Sequence, residues 1–253
     1  MSDEQEALWA GRHQGKDALR NEIWAALVRE AASPSDPVGH IPDFVGSDRA
    51  ATRLAELPIW QHAQVIKCNP DKAQAPVRLR ALQDGKLLYM AVPRLVDARC
   101  FVELSAEALR AKEVELDAAA QWQGALEHGR LVAFEEMRPI DLVVTGCVAV
   151  TRAGGRTGKG AGFADLELGM LRTLGLLPAG TPIITTVHAL QLVGDARLPM
   201  MPHDSALDWI ITPDQAIETH TTHPQPAGID WDAVQPDQYD SIPALRALRP
   251  RSQ

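Results

Sequence analysis

Residues 152–162 hold the densest chemistry in this chain: Arg-Ala-Gly-Gly-Arg-Thr-Gly-Lys-Gly-Ala-Gly. Glycines let backbone N–H groups approach an anion closely. A helical pattern begins near Phe163, and a helix start adds a partial positive charge at the same place. Arg152, Arg156 and Lys159 supply full charges. Such a segment suits a polyanion. Asp165, in the first turn of the following helix, is the kind of carboxylate that ligates Mg²⁺ beside a triphosphate. Two familiar templates fail. Lys159 is followed by Gly160 where a Walker A loop needs Ser or Thr. Gly158, Gly160 and Gly162 are spaced two apart, unlike the dinucleotide fingerprint. Spacing by itself leaves two readings open, a phosphate seat and a solvated flexible loop.

A second cluster is Pro199-Met-Met-Pro-His-Asp-Ser-Ala-Leu-Asp-Trp-Ile-Ile-Thr212. Asp204 and Asp208 precede an apolar strand pattern, as ligand-binding or turn aspartates do. His203 reads as a hydrogen-bonded loop histidine, with ligand or base the sharper alternative. His220 and His223 stand three apart but no third metal ligand accompanies them. Lys16 and Arg20, one helical turn apart, read from spacing as a solvated flank, with the rim of a ligand cleft as the alternative.

Elements that must position these groups follow from periodicity. Asp17–Glu30 carries Leu19, Ile23, Ala26 and Leu27 at helical spacing. Ser47 or Asp48 is expected to cap a helix through Leu57, stopped by Pro58. Residues 63–67 and 87–92 read as strands and 76–83 as a helix. The Ala, Glu and Leu content of 106–126 favours one helix. Residues 140–150 form a continuous apolar run, expected of a covered central strand. Phe163–Leu176 reads as a helix with Phe163, Leu166, Met170, Leu171 and Leu174 on its core stripe. Residues 182–187 and 209–212 are two further strands. Strands alternating with helices predict a three-layer αβα, Rossmann-like domain with a mostly parallel sheet. From about Thr219 the chain turns rich in Pro, Asp, His and Gln, the composition of an irregular, draped or mobile tail.

The bulk numbers bound the function. The chain has 253 residues, 45% of them hydrophobic, and a net charge of −8. That charge argues against non-specific nucleic-acid binding. No apolar run reaches the length of a membrane span. The start, Met-Ser-Asp-Glu-Gln-Glu, lacks an apolar signal core, and three cysteines without metal-type pairing predict reduced thiols. Together these point to a cytoplasmic protein that is not secreted. Cys147, inside the apolar run, reads as a small core residue.

The ordered motifs resemble the 5-formyltetrahydrofolate cyclo-ligase (methenyltetrahydrofolate synthetase) family. They are Lys16-Asp-Ala-Leu-Arg20, Val92-Pro93-Arg94 after a strand, Gly154-Gly-Arg-Thr-Gly-Lys-Gly-Ala-Gly-Phe-Ala-Asp165 and the Pro199–Thr212 stretch. The wording Gly158-Lys-Gly-Ala-Gly-Phe-Ala-Asp-Leu-Glu167 is similar to a divergent branch, the methenyltetrahydrofolate synthase domain-containing proteins. The resemblance implies a cyclo-ligase-like α/β domain over residues 1–218, followed by the tail 219–253. It implies ATP- and Mg²⁺-dependent cyclisation of 5-formyltetrahydrofolate to 5,10-methenyltetrahydrofolate. The alternatives are an ATP-dependent ligase or kinase on another formyl or amide compound, and a non-catalytic folate- or nucleotide-binding protein. Under this resemblance Arg156, Lys159 and Asp165 serve the phosphoryl transfer. Lys16, Arg20, Gly158, Gly160, Gly162 and Phe163 complete the nucleotide site, and Asp165 with Asp204 holds Mg²⁺. The partners expected are a small-molecule substrate, with folate the candidate, and no nucleic acid or membrane; the chain is expected to be a monomer or homodimer. Departures fall on the folate side: Phe163-Ala164 replaces a tyrosine pair, Leu166 an arginine, and the stretch 67–74, Lys-Cys-Asn-Pro-Asp-Lys-Ala-Gln, has no glutamate where the family has one that contacts the pterin.

Overall fold

Strand β1, Val65–Cys68, is the centre from which the sheet is laid out. Its residues alternate between two cores, as the period-two geometry of a strand requires. Ile66 and Cys68 join one hydrophobic cluster and Val65 the other. The computed structural model describes residues 13–92, 95 and 99–249; Pro93 and Arg94 of the Val92-Pro-Arg motif lie outside them.

The elements run in chain order as follows. Helices α1 (Gln14–Arg29), α2 (Ser47–Ala55) and α3 (Pro58–His62) precede β1, and α4 (Ala75–Gln83) leads to β2 (Leu87–Ala91) and β3 (Phe101–Leu104). Helices α5 (Ala106–Ala111), α6 (Leu116–Ala120) and α7 (Trp122–His128) lead to β4 (Arg130–Val132). Then come β5 (Leu142–Val144), β6 (Ala149–Thr151), β7 (Arg156–Thr157), α8 (Phe163–Thr173), β8 (Ile183–Thr186), β9 (Leu192–Val193), β10 (Trp209–Ile211) and β11 (Ala216–Glu218). Helices α9 (Pro236–Ser241) and α10 (Pro243–Leu248) close the described chain.

Eight strands form the main sheet in the order β11-β10-β8-β5-β1-β2-β3-β4. The inner pairs β10–β8, β8–β5, β5–β1 and β1–β2 are parallel, and the outer pairs are antiparallel. A second sheet, β7-β6-β9, stands apart. Leu19, Ile23 and Leu27 of α1, Leu54 of α2 and Leu82 of α4 cover one face of the main sheet. Leu168 and Leu171 of α8, with Leu245 of α10, cover the other. The expected three-layer α/β architecture with a mostly parallel sheet is therefore the observed one.

Several local expectations differ. The apolar run 140–150 is two strands in two sheets, β5 and β6, because the chain leaves the main sheet at Thr145-Gly146. Hydrophobicity marks burial, and both halves are buried. The alanine-rich stretch 106–126 is three short helices. Glu113 has a left-handed backbone (φ 56°), and Glu115 and Gln121 are extended, so the chain turns twice where propensity favoured continuity. Leu174 is 38% exposed, beyond the end of α8, and Leu168 takes its place in the core. The stretch after Thr219 is irregular through residue 235, as expected, but it ends in α9 and α10, which are packed. Ile242 and Leu245 are wholly buried against the α8 side of the sheet, which a compositional reading of Pro and Asp misses.

Leu245→Ala is expected to lower stability by about 2–5 kcal/mol, the usual range for a buried leucine truncated to alanine. Urea denaturation measures it. A loss within about 0.5 kcal/mol, typical of surface positions, would show that α10 contributes no core packing.

Candidate active site

In open α/β sheets the crevice for a ligand forms beyond the strand C-termini, where successive connections leave in opposite directions. Here that point lies between β1 and β5. The chain goes from β1 to β2 on one side, and from β5 to β8 and β10 on the other. A cleft of about 1250 Å³ opens there. Its floor includes Asn69, Pro70 and Asp71 after β1 and Gly146 after β5, and the loop 156–162 forms a wall. Gly146 is required by close approach: a Cβ there would sit 2.9 Å from Asp71 Oδ2 and 3.1 Å from Gln74 Oε1.

Helix α1 brings two cations into the cleft. Its start is capped by His13, whose side chain accepts from the N–H groups of Gly15 and Lys16. Lys16 and Arg20 are four residues apart, hence on one face. They are only 6% and 5% exposed, so the solvated-flank reading is corrected. Packing of α1 on the sheet turns that flank inward. Arg20 Nε donates to the Gly158 carbonyl at 2.6 Å and its Nη2 to Thr157 Oγ1 at 2.7 Å, and the guanidinium also pairs with Asp17. Lys16 Nζ pairs with Asp204.

The basic segment is not one flexible loop. Arg156-Thr157 is strand β7, antiparallel to β6, and Arg156 is 1% exposed. Its Nε donates to the Ser205 carbonyl at 2.8 Å and its Nη2 to Asp165. Arg156 therefore reaches the cleft as a buried, paired cation on a strand, where the sequence placed it in a loop. Arg152 is exposed, stands 3.5 Å from Gln215 Oε1 and is not among the cleft-lining residues. Lys159 does line the cleft. It lies near enough to Asp71 to favour that carboxylate electrostatically. Gly158, Gly160, Gly162 and Phe163 line the same wall. Phe163 is half-buried, and Gly162 caps α8 with a left-handed backbone (φ 71°) and no side-chain acceptor. The first turn of α8 thus presents amides to the cleft without a capping side chain, a favourable environment for an anion.

Asp165 and Asp204 converge. Ser205 N–H donates to Asp165 Oδ1 at 2.9 Å, and Met201 N–H to Asp204 Oδ2 at 2.7 Å. Asp204 and Ser205 are neighbours in sequence, so the two carboxylates share one wall of the cleft. Each has one oxygen engaged by a cation and an amide. Asp165 Oδ2 and Asp204 Oδ1 carry no hydrogen bond among the described residues. His203 Nε2 lies 3.9 Å from Asp204 Oδ1. Among the described residues no group of three or more His, Cys, Asp or Glu is placed to hold a metal. Two carboxylate oxygens still fit Mg²⁺, which takes one or two carboxylates and completes its shell with water and phosphate oxygens. Asp208 is a strand-bracing residue, accepting from Ile183 N–H at 2.8 Å. All three cysteines are buried and none is in a disulfide. No helix among the described residues is long and apolar enough to cross a membrane.

The sequence reading missed the polar floor on the far side. Lys67 points to the α8 side of β1 and meets Glu167 at 2.5 Å, with side-chain exposures of 0% and 4%. Lys67 Nζ also donates to Asn69 Oδ1 at 2.5 Å. The available signal was a lysine between Ile66 and Cys68 in an apolar strand, a position that demands a partner. Burial raises the Glu167 carboxyl, with Lys67 opposing the shift. Burial also raises the Asp71 carboxyl, against the pull of Lys159, Arg78 and Lys67.

Removing one member of a buried pair strands the other charge. Lys67→Met is expected to cost about 3–5 kcal/mol, and Lys67→Met/Glu167→Met to recover most of it; denaturation of the singles and the double measures the coupling. A raised carboxyl pKa makes the native state the better proton binder. The Asp71 contribution is therefore complete below its ordinary value of 3.8 and is lost as pH rises through the shifted one. Asp71→Asn should flatten the decline of stability above about pH 4, and parallel declines in the two proteins would refute the shift.

The 5-formyltetrahydrofolate cyclo-ligase family model matches residues 12–213. Methenyltetrahydrofolate synthase domain-containing proteins of Bos taurus and Homo sapiens are 36% and 35% identical to this chain over 92% and 94% of its length. The chain spans 62% of the length of each. A 5-formyltetrahydrofolate cyclo-ligase of Mycolicibacterium smegmatis is 34% identical over 33% of this chain and 39% of its own. Among solved structures, a 5,10-methenyltetrahydrofolate synthetase of Aquifex aeolicus aligns with a TM-score of 0.49 at 17% identity, covering 81% of this chain and 95% of that one.

Proposed function

The chain belongs to the 5-formyltetrahydrofolate cyclo-ligase family, and from that premise we propose that it is an enzyme converting 5-formyltetrahydrofolate to 5,10-methenyltetrahydrofolate with ATP and Mg²⁺. The observation that carries this reading is the gathering of Lys16, Arg20, Lys159, Asp165 and Asp204 along one cleft at the switch point of the sheet.

In the proposed reaction the formyl oxygen attacks the γ-phosphorus and ADP departs. N10 then attacks the activated formyl carbon, and inorganic phosphate leaves as the five-membered ring closes with a C=N bond. The chain supplies position and charge and forms no covalent bond to substrate. Lys159 and the amides of residues 158–163 would face the phosphoryl oxygens, where charge develops. Arg20 holds the Gly158 carbonyl, fixing the loop from outside. Arg156 orients Asp165 and Lys16 orients Asp204. Mg²⁺, held by the free oxygens of these two aspartates, would neutralise charge on the triphosphate. Phe163, Leu166, Ala91 and Leu95 offer apolar surface in the same cleft for the ring system.

Two features favour a different formyl or amide substrate in the same chemistry. Ala164 offers little surface to stack on, and the Lys67–Glu167 pair makes the neighbouring floor ionic. ADP release across a panel of formyl and amide compounds separates the two readings.

Pure protein with 5-formyltetrahydrofolate and Mg-ATP should develop the methenyl absorbance band. Lys159→Ala should lower kcat/KM for ATP by about 10²–10³, the usual loss for one transition-state donor, with the thermal midpoint little changed because the residue is on a loop. ATP binding without any band from the wild-type protein would end the folate assignment.

A further inference from the structure

The family match ends at residue 213, yet the cleft does not. Ile229, Asp230, Ala233, Gln235 and Gln238 also line it. They belong to a strap that runs over α8 toward α9 and α10. Its anchors are specific. Ile229 N–H donates to Thr173 Oγ1 of α8 at 3.1 Å. The Gly228 carbonyl lies so close to α8 that a Cβ at Gly169 would sit 3.2 Å from it. Beyond the strap, Ile242 and Leu245 are buried in the core on the α8 side.

The side chain of Gln238, in α9, touches the glycine loop. Gln238 is 7% exposed. Its Nε2 donates to the Ala161 carbonyl at 3.1 Å, and its Oε1 accepts from Gln235 N–H at 3.0 Å. Both ends of the amide are used, so its orientation is determined by its partners. Ala161 sits between Gly160 and Gly162, residues whose backbones otherwise have the widest freedom. A trans peptide is planar, with C=O and the next N–H pointing in opposite directions. Holding the Ala161 carbonyl therefore sets the direction of the Gly162 N–H as well. The fit is mutual: a Cβ at Gly162 would lie 2.8 Å from Gln238 Nε2. Arg20 grips the same loop from the opposite end, at Gly158.

We propose that Gln238 is a positioning residue for the polyphosphate-binding loop, and that the strap is an integral part of the nucleotide site. The free loop samples many backbone states, and the Gln238 amide selects the one in which the loop amides and the α8 start act together on one anion. The proposal rests on the ATP reading above for its ligand, but the loop conformation can be measured without any ligand.

Gln238→Met keeps the size and removes the hydrogen bonds. Hydrogen exchange at the amides of Gly160, Ala161, Gly162 and Phe163 should speed up, while exchange in the β1 and β5 core stays unchanged. ATP binding should weaken about five- to tenfold, the scale of one neutral hydrogen bond. Gln238→Glu places a carboxylate against a carbonyl, a contact that favours the protonated form. Its loop protection factors, corrected for the intrinsic slowing of amide exchange at lower pH, should therefore rise toward the wild-type values as pH is lowered, when the protonated carboxyl can donate again, and a merely space-filling role predicts no such recovery. Unchanged loop exchange in Gln238→Met overturns the proposal whether or not ATP binds. Faster loop exchange with unaltered ATP affinity also overturns it. Failure of the wild-type protein to bind ATP counts instead against the parent reading.

Discussion

The buried guanidinium of Arg156 is the tie on which the rest of the cleft depends. It joins three segments distant in sequence: β7 that carries it, α8 through Asp165, and residues 204–205 through the Ser205 carbonyl. A cation in the interior is costly unless its hydrogen bonds are made and a counter-charge is close. Here the counter-charge is a carboxylate at the rim, so the same contact that satisfies Arg156 also aims Asp165. Ser205 N–H completes the arrangement by donating to Asp165. The adjacent Asp204 is then presented on the same wall, where Lys16 meets it. Arg156 thus fixes Asp165 directly, while Asp204 is held by Lys16 and the Met201 N–H.

This tie works because the chain leaves the main sheet at the right place. The chain leaves the sheet after β5, and Gly146 lets the floor of the cleft close around Asp71 and Gln74. Strands β6 and β7 then form a small second sheet with β9, which holds Arg156 above the strand ends. A continuous strand through 150 would have carried the glycine segment past the crevice. The cleft is therefore a consequence of one break in a hydrophobic run.

Two halves of the cleft differ in character. The half near α1 is built from cations with carboxylate partners, and the half beneath α8 has an ionic floor of Lys67 and Glu167 beside Asp71. A strap from beyond the family-matched segment forms part of the wall. The cleft wall thus combines the family-matched segment with chain that lies beyond it.

Much of this was legible in the residues alone. Alternation of strand and helix patterns determined the layer architecture, because period-two and period-3.6 burial can be satisfied only by a covered sheet. Glycine spacing with Arg156, Lys159 and Asp165 marked the segment but left a phosphate seat and a solvated loop both open; the fold places the three residues along the cleft. Tertiary structure alone decided which charges meet. Arg152 and Arg156 are equally basic in sequence, but only one points inward. Lys16 and Arg20 look like a solvated flank until α1 docks. Lys67 and Glu167 lie a hundred residues apart, and Gln238 finds Ala161 only after the strap has folded back. Local patterns encode burial and backbone freedom; the partners of a buried charge depend on long-range packing, which no window of sequence contains.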